Sequence, residues 1–476
     1  MAVVVVDNGP PGGGMTARTT AHLSFALDDR WADLIDLMGL ERARRAADSH
    51  AAAVAIIEEI QAREGISCDF ARLDGYLFLA PGDDPRVLDR EIKAAHKLGL
   101  TQVEWRARAP LPGKDTGRCL RFPSQGRFHP LKYVAGLVRC ITESGGRFVT
   151  AHVVSVEDGM PTRITTERGH TIEARAAVVA TNAPINDRLM IHTKQAPYRT
   201  YAIAGPIPKG ALVDSLIWDI GDPYHYVRLQ PAHNEAHDLV IVGGEDHKSG
   251  QAHDIETRFA ALEDWTRQHI PDFRAAAFRW SGQVMEPIDF LGFLGRNPGE
   301  RNVYIASGDS GMGMTHGTIA ARIISDLILG RDNEWAALYD PARKTLGAAR
   351  EYARANLNAA ATFAAYATPG ELASAEALAP GDGAVIRSGA RKIAAYRDQT
   401  AGLHLLSAVC THMGCVVSWN PLERCWDCPC HGSLFDIDGR PLTGPAISPL
   451  AKIESQRAMR PISPRPAPSV RARSGR

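Results

Sequence analysis

The chain of 476 residues lacks an excess of either charge: 54 Lys and Arg stand against 54 Asp and Glu. No global field therefore draws it to nucleic acid or to an acidic surface, and such a role would need a local patch. Long hydrophobic runs are missing too. The longest uncharged apolar stretches, such as AAVVATNAPI at 176–185, fall far short of the roughly 18 residues a membrane span requires. No basic segment followed by an apolar core opens the chain, so a secretory signal is not expected and a cytoplasmic enzyme is. Cysteine is scarce, eight in all, but five of the eight lie between Cys410 and Cys430. Clustering on that scale points to metal chemistry or stapling rather than to ordinary buried use.

The opening stretch, MAVVVVDNGPPGGGMTARTT, has glycines without the frame they need. Gly12 to Ala17 fit G-x-G-x-x-A, the loop that cradles a dinucleotide pyrophosphate. That loop directly follows a first strand, opens a helix, and precedes a second strand ending in an acid about 20 residues later. Here a Pro-containing turn separates Val3–Val6 and Asp7 from the glycines, and residues 28–62 repeat apolar positions at helical spacing. The pieces fit if Val3–Val6 is itself the second strand and Asp7 accepts hydrogen bonds from an adenosine ribose. The first strand and its loop are then expected upstream of Met1. A degenerate fingerprint and a glycine-rich turn without function are the alternatives.

Residues 1 to about 340 alternate helical and strand-like stretches, as α/β chains do. Strands are expected at 76–80, 147–158, 162–168, 176–181, 224–230 and 238–244, and helices at 86–99, 130–144, 255–269, 317–329 and 341–366. The last of these ends before Thr368-Pro369-Gly370, a natural boundary. Residues 384–409 then read as short strands with hairpin turns, a small all-β module. The segment 455–476, rich in Arg and Pro and without an acid, is expected to stay disordered.

The densest signal is CTHMGC at 410–415 followed by CPCHGS at 428–433. A structural zinc site favours C-x2-4-C paired with H-x3-5-H or a second Cys pair. Here each half supplies one Cys and one His, the mixed set of a Rieske [2Fe–2S] centre, with Cys410 and Cys428 on one iron and His412 and His431 on the other. Zinc is the alternative. The stretch resembles the Rieske family, and the resemblance implies that Cys415 and Cys430 form a disulfide across the two loops. It also implies that the Ser433 hydroxyl bonds a cluster sulfur and that GPA at 444–446 forms a third, covering loop. Rieske potentials lie at roughly −150 to +300 mV. Phe435 stands where the highest-potential members carry tyrosine. Cys425 falls outside the pattern as a spare thiol.

Three stretches of the first 340 residues resemble the D-amino acid oxidase and glycine oxidase family of flavoproteins. The expected strand 176–181 ends in Ala180-Thr181-Asn182, like the strand end that crosses back to the nucleotide. The strand at 147–154 places Val153 where the family's backbone contacts adenine. NVYIASGDSGMGMTHGTIAARIISDLILG at 302–330 runs strand, glycine-rich turn, helix, and amides at a helix N-terminus suit an electron-rich group. The whole chain resembles bacterial fusions of such an oxidoreductase to a C-terminal Rieske domain, and QAPYRTY (195–201), GGEDHKSGQ (243–251) and WSGQVMEP (280–287) are similar to stretches of those fusions. The fold implied is α/β: an FAD-binding two-dinucleotide-type fold, N-terminally truncated, with an antiparallel-sheet substrate domain, plus a small all-β domain. Its divisions are expected at 1–340 for the oxidoreductase, with the substrate part within about 185–290, 341–370 for a helical linker, and 373–454 for the Rieske domain.

Carried over, Asp7 would hold ribose, and Gly13, Gly14, Thr16, Arg18, Thr19 and Thr20 would line FAD. Val153 and Thr181 would meet its nucleotide, and Gly308, Asp309, Gly311, Met314 and Thr315 would close over it. The resemblance implies oxidation of a small molecule, an amine or amino acid, with electrons passed singly through the cluster to an external protein or quinone. No catalytic acid can be named. Tyr224, Tyr226 and Arg228 should share one strand face, where Arg228 either binds a substrate carboxylate or lies on an exposed sheet. His247 reads as a loop residue rather than a base. An electron-transfer or redox-sensing protein with a scaffold flavin domain is the rival. A nicotinamide-fed reductase is a third possibility, weakened by the lack of a separate nicotinamide fingerprint.

Overall fold

A computed structural model describes residues 2–186, 190–232, 236–252 and 254–454. The disorder expected for 455–476 lies outside the described residues. The valine run forms strand Val4–Asp7, which pairs in parallel with Arg147–Thr150, Asp7 opposite Thr150. A second small sheet places Ala177–Val179 parallel to Val303–Ser307, which pairs antiparallel with Phe293–Arg296. Among the described residues Val4–Asp7 and Ala177–Val179 each pair along one edge only. Val3, Val4 and Val178 are correspondingly 42%, 45% and 48% exposed.

Helix Leu40–Arg63 packs on Gly313–Ile328. Its buried face carries Ala43, Ala46, Ala47 and Ala53, small enough to let Ile319, Ala320 and Ile323 approach closely. Residues 28–62 thus hold two helices, Trp31–Met38 and Leu40–Arg63, broken at Gly39. The helix expected to start at 317 starts at Gly313, directly out of the glycine turn. That expected from 341 becomes Ala349–Thr362. The delay has a cause: Arg343 is buried, pairs with Asp289 at 2.7 Å and donates to Gly292 O at 2.8 Å, which holds 341–345 out of a helix.

A nine-stranded sheet forms the middle of the molecule. Its long strands Gln195–Pro208, His237–Lys248 and Phe278–Pro287 pair antiparallel. The sheet reaches outside 185–290, because Ala71–Phe78 pairs in parallel with Leu216–Asp219 and antiparallel with Cys119–Arg127. His247 belongs to strand His237–Lys248 rather than to a loop. The C-terminal module is all-β: a three-stranded antiparallel sheet, Gly383–Ser388, Arg391–Arg397 and Leu403–Ser407, beside a four-stranded one that starts with Ser418–Asn420 and Cys425–Asp427. Tyr396, Trp419, Trp426 and Phe435 fill its core.

On strand His225–Gln230 the His225 ring stacks on Trp265 and lies between Asp219 Oδ2, 3.0 Å from Nδ1, and Glu245 Oε1, 3.2 Å from Nε2. Burial alone would lower its pKa, but the two carboxylates outweigh burial and raise it to about 9. A folded-state value above the unfolded 6.5 gives stability that is complete below 6.5 and lost as pH rises through about 9. His225→Gln is therefore expected to cost on the order of 1–3 kcal/mol in urea unfolding at pH 6, the scale of hydrogen bonds to a charged group, and little at pH 10.

Candidate cluster and flavin site

The two Cys/His loops are built alike. Gly414 N donates to Cys410 O (3.0 Å) and Gly432 N to Cys428 O (3.2 Å), and both glycines sit at φ near +80°. A left-handed residue four positions after the cysteine turns each loop back, and glycine takes that conformation without Cβ strain. The Cys410 and Cys428 thiols are buried and share a hydrogen bond, which brings Cys410 down to about 7 and pushes Cys428 up. The His412 and His431 rings lie 4.9 Å apart. Burial, then His412 and His192, hold the His431 pKa down to about 3, so it is a neutral imidazole at physiological pH. Its Nδ1 is buried without a protein partner.

Two adjoining thiols and two imidazoles form the donor set of a Rieske [2Fe–2S] cluster, and the residues fit it. Cys415 and Cys430 are joined in a disulfide across the loops. These two sulfurs and a His431 nitrogen lie within 4.8 Å of one another, but a disulfide offers no thiolate, so that trio is not a metal site. Ser433 reaches the Cys410 thiol and accepts from Ala446 N in the GPA loop at 3.0 Å. Cys425, the spare thiol, donates to Asp427 Oδ1 at 3.1 Å.

The module docks on the nine-stranded sheet. Arg199 and Asp427 form an ion pair at 2.6 Å with side chains 2% and 4% exposed. Asn420 Nδ2 donates to the same Asp427 oxygen (3.0 Å), and Arg199 Nη1 to Ser281 Oγ (3.1 Å). Ser281 in turn donates from Oγ to Glu423 (2.8 Å). The histidine edge of the cluster loops points inward. His192, 2% exposed, lies 4.8 Å from the His412 ring and 5.9 Å from His431. A Cβ on Gly432 would stand 3.0 Å from both Pro197 Cβ and Gln283 Nε2.

Strand Phe278–Pro287 also ties the flavin-type loops together. Trp280 Nε1 donates to Arg18 O (2.8 Å) and Gln283 N lies 3.2 Å from Met15 Sδ. Further along, Met285 N donates to Asp309 Oδ1 (2.6 Å) and Ser310 N to Met285 O (3.0 Å). Gly13, Gly14 and Thr16 lie around the short turn Met15–Ala17, Thr19 Oγ1 accepts from Ala21 N, and Thr20 is buried. Gly308 and Gly311 need their positive φ, and a Cβ on Gly311 would meet Asp28 Oδ2 at 2.7 Å. Thr315 spends its hydroxyl on Met312 O, and Met314 packs beside the cluster that holds Phe128 and Tyr133. Thr181 Oγ1 donates to Ala183 O, and Val153 starts strand Val153–Glu157. Asp7 is exposed and accepts from Gly9 N.

Arg18, expected to line flavin, pairs with Glu423 of the C-terminal module and donates to Ser281 O of the nine-stranded sheet. One expectation is corrected. Arg228 is neither on an exposed sheet nor a carboxylate clamp. It is 1% exposed and donates to the carbonyls of Thr20, Ala21 and Phe128, because that strand face lies under the 18–23 segment. Beside the 308–311 turn, burial first and then neighbouring carboxyl groups raise Asp28 to about 7, and burial raises Asp29 and Asp309 to about 6. Sequence reasoning missed His192, Arg199, Ser281, Gln283, Glu423 and Asp427. Arg199, Ser281 and Gln283 do lie in the stretches similar to the fusions, but no spacing rule marks them.

Residues 1–327 match the family model for FAD dependent oxidoreductases (DAO), and residues 369–454 that for the Rieske [2Fe-2S] domain. The chain is 29% identical over 459 residues, 95% of its length and 88% of the other's, to YhfW of Bacillus subtilis (strain 168), named as a Rieske 2Fe-2S iron-sulfur protein. A 54-residue stretch, 11% of the chain and 30% of the relative, is 54% identical to the cytochrome b6-f complex iron-sulfur subunit of Cyanothece sp. (strain PCC 7425 / ATCC 29141). In fold, 72% of the chain superposes on 92% of glycine oxidase from Geobacillus kaustophilus, with a TM-score of 0.60 at 17% identity. It superposes likewise on 97% of L-proline dehydrogenase from P. horikoshii, with a TM-score of 0.54 at 17% identity. FAD and a [2Fe–2S] cluster are the cofactors of these two domains. No helix among the described residues is long and apolar enough to cross a membrane. The chain belongs to the FAD dependent oxidoreductase family and carries a Rieske [2Fe–2S] domain at its C-terminal end.

Proposed function

We propose that the chain couples two-electron to one-electron chemistry: a small amine or amino acid is oxidised at FAD, and the electrons pass singly through the Rieske cluster to an external protein or quinone. The observation that carries this reading is the inward histidine edge. His192 and Gly432's neighbour Gln283 meet the cluster loops, and the strand bearing Gln283 anchors both glycine-rich loops. When bound, FAD supplies hydride acceptance and one-electron release. The protein supplies position. Cys410 and Cys428 would hold one iron and His412 and His431 the other, with Cys415–Cys430 bracing the loops.

On the flavin side Asp7 would take ribose hydroxyls, with Val153 and Thr181 beside the nucleotide. Gly13, Gly14, Thr16, Thr19 and Thr20 would line one side, and Gly308, Asp309, Gly311, Met314 and Thr315 the other. The open edges of Val4–Asp7 and Ala177–Val179 suit a further strand bearing a phosphate loop. The carboxyl groups of Asp28, Asp29 and Asp309 near the turn favour a substrate that presents a cationic amine.

Anaerobic addition of amines or amino acids to the flavin- and iron-loaded protein is expected to bleach the flavin band and raise the EPR signal of the reduced cluster. Bleaching without that signal would sink the coupling. A cluster that cycles while no amine, amino acid or NAD(P)H bleaches the flavin would leave the scaffold reading standing. Asp427→Asn strands Arg199 without its counter-charge, and removing one member of a buried pair costs about 3–5 kcal/mol. The expected result is a lower Tm and slower reduction of the cluster by flavin, with iron content retained.

A further inference from the structure

We propose that His192 is the residue through which the flavin domain and the cluster are electronically joined, along a bonded route from the histidine edge to the 308–311 turn. The inference rests on the coupling reading above. His192 comes from the flavin domain, is buried, and packs edge-on against both imidazoles assigned to the cluster, at 4.8 and 5.9 Å. Its Nε2 lies 3.1 Å from Pro184 O. A carbonyl only accepts, so that nitrogen carries the proton and donates.

Pro184 follows the turn Thr181-Asn182 after strand Ala177–Val179, where Asn182 takes a left-handed φ of +64°. That turn aims Asn182 O at Ser307 Oγ, which donates to it at 2.6 Å. Ser307 ends its strand immediately before Gly308. The route thus runs from cluster imidazole to His192, through the hydrogen bond to Pro184, along two residues of backbone to Asn182, and across a second hydrogen bond to the flavin turn. The Gln195 side-chain amide also lies 3.1 Å from Ser307 Oγ, which packs the 192–195 segment against the turn.

With both cofactors bound, reduced FAD would release one electron and the oxidised cluster would accept it, with no bond formed or broken. The second follows after the external one-electron acceptor has reoxidised the cluster. Because the flavin domain covers the histidine edge, that acceptor takes its electron at another face of the module.

The test uses the flavin- and iron-loaded full chain, with flavin photoreduced and the cluster followed by EPR. His192→Phe keeps an aromatic ring but loses the donor to Pro184. His192→Gln keeps a donor and loses the ring. H192F is expected to slow cluster reduction by about tenfold, equivalent to about 1.4 kcal/mol on the barrier, and H192Q by no more than about threefold. Iron content should match the wild type in both, and the EPR line shape of the dithionite-reduced cluster should shift in H192F, a readout that needs no turnover. H192F reducing its cluster at the wild-type rate with an unshifted spectrum overturns the proposal. Where H192F holds too little iron to measure, His192→Leu, which loses both the ring and the donor, decides: a tenfold loss with iron retained supports the route and transfer at the wild-type rate overturns it. If the wild type itself transfers nothing from flavin to cluster, the coupling reading fails and this inference with it; a defect confined to H192F leaves both standing.

Discussion

The ion pair between Arg199 and Asp427 is the contact on which the arrangement of the two cofactor domains depends. Both charges are almost fully withdrawn from water, and isolated charges in that position would cost several kcal/mol each. Ser281, Asn420 and Cys425 add further hydrogen bonds to the two groups, while Arg199 Nε is buried without a partner. The pair is expensive to open, since separation would leave two buried charges without their counter-ions. The Rieske module is therefore held in one orientation, its histidine edge against His192, rather than tethered to the sheet by the helix Ala349–Thr362 alone.

The strand Phe278–Pro287 turns that docking into a connection. Side chains alternate along a strand, so Ser281 and Gln283 reach the Rieske side while Glu286 accepts from Ser310 in the glycine-rich turn. Its backbone meanwhile bonds the 285 region to the 309–310 loop and its Trp280 ring to the Arg18 carbonyl. One strand thus serves both domains, and neither flavin-type loop can move far without the cluster loops following.

Much of this was legible in the sequence, and the boundary of legibility is physical. The cluster loops could be read because iron fixes the ligand types and because a turn of four residues needs its glycine at a set place; Cys410, His412, Cys428 and His431 come together as their spacing requires. The strand-turn-helix at 302–330 could be read for a similar local reason. Interdomain contacts could not. Arg18 is five residues past Gly13 and looks like part of a flavin loop, yet it pairs with Glu423, some 400 positions away. Arg228 looks like a surface or substrate residue until the 18–23 segment is laid over it. Such contacts depend on which surfaces meet, and a single sequence carries periodicity and spacing but no record of what lies opposite.

The choice of cluster follows from the same burial. A centre with four thiolates would bring more negative charge to its edge than one in which two imidazoles replace two thiolates. The surface that receives the edge here includes His192, Pro197 and Gln283. Burying such a charge is costly unless it is paired, and the buried guanidinium of Arg199 is already committed to Asp427. A neutral imidazole can be pressed against this surface at little electrostatic cost, and burial first, then the neighbouring histidines, keep His431 neutral. The inward docking and the mixed Cys/His ligation thus fit one another: an edge of imidazole rather than thiolate is placed face-in on His192, Pro197 and Gln283 without needing an ion pair of its own.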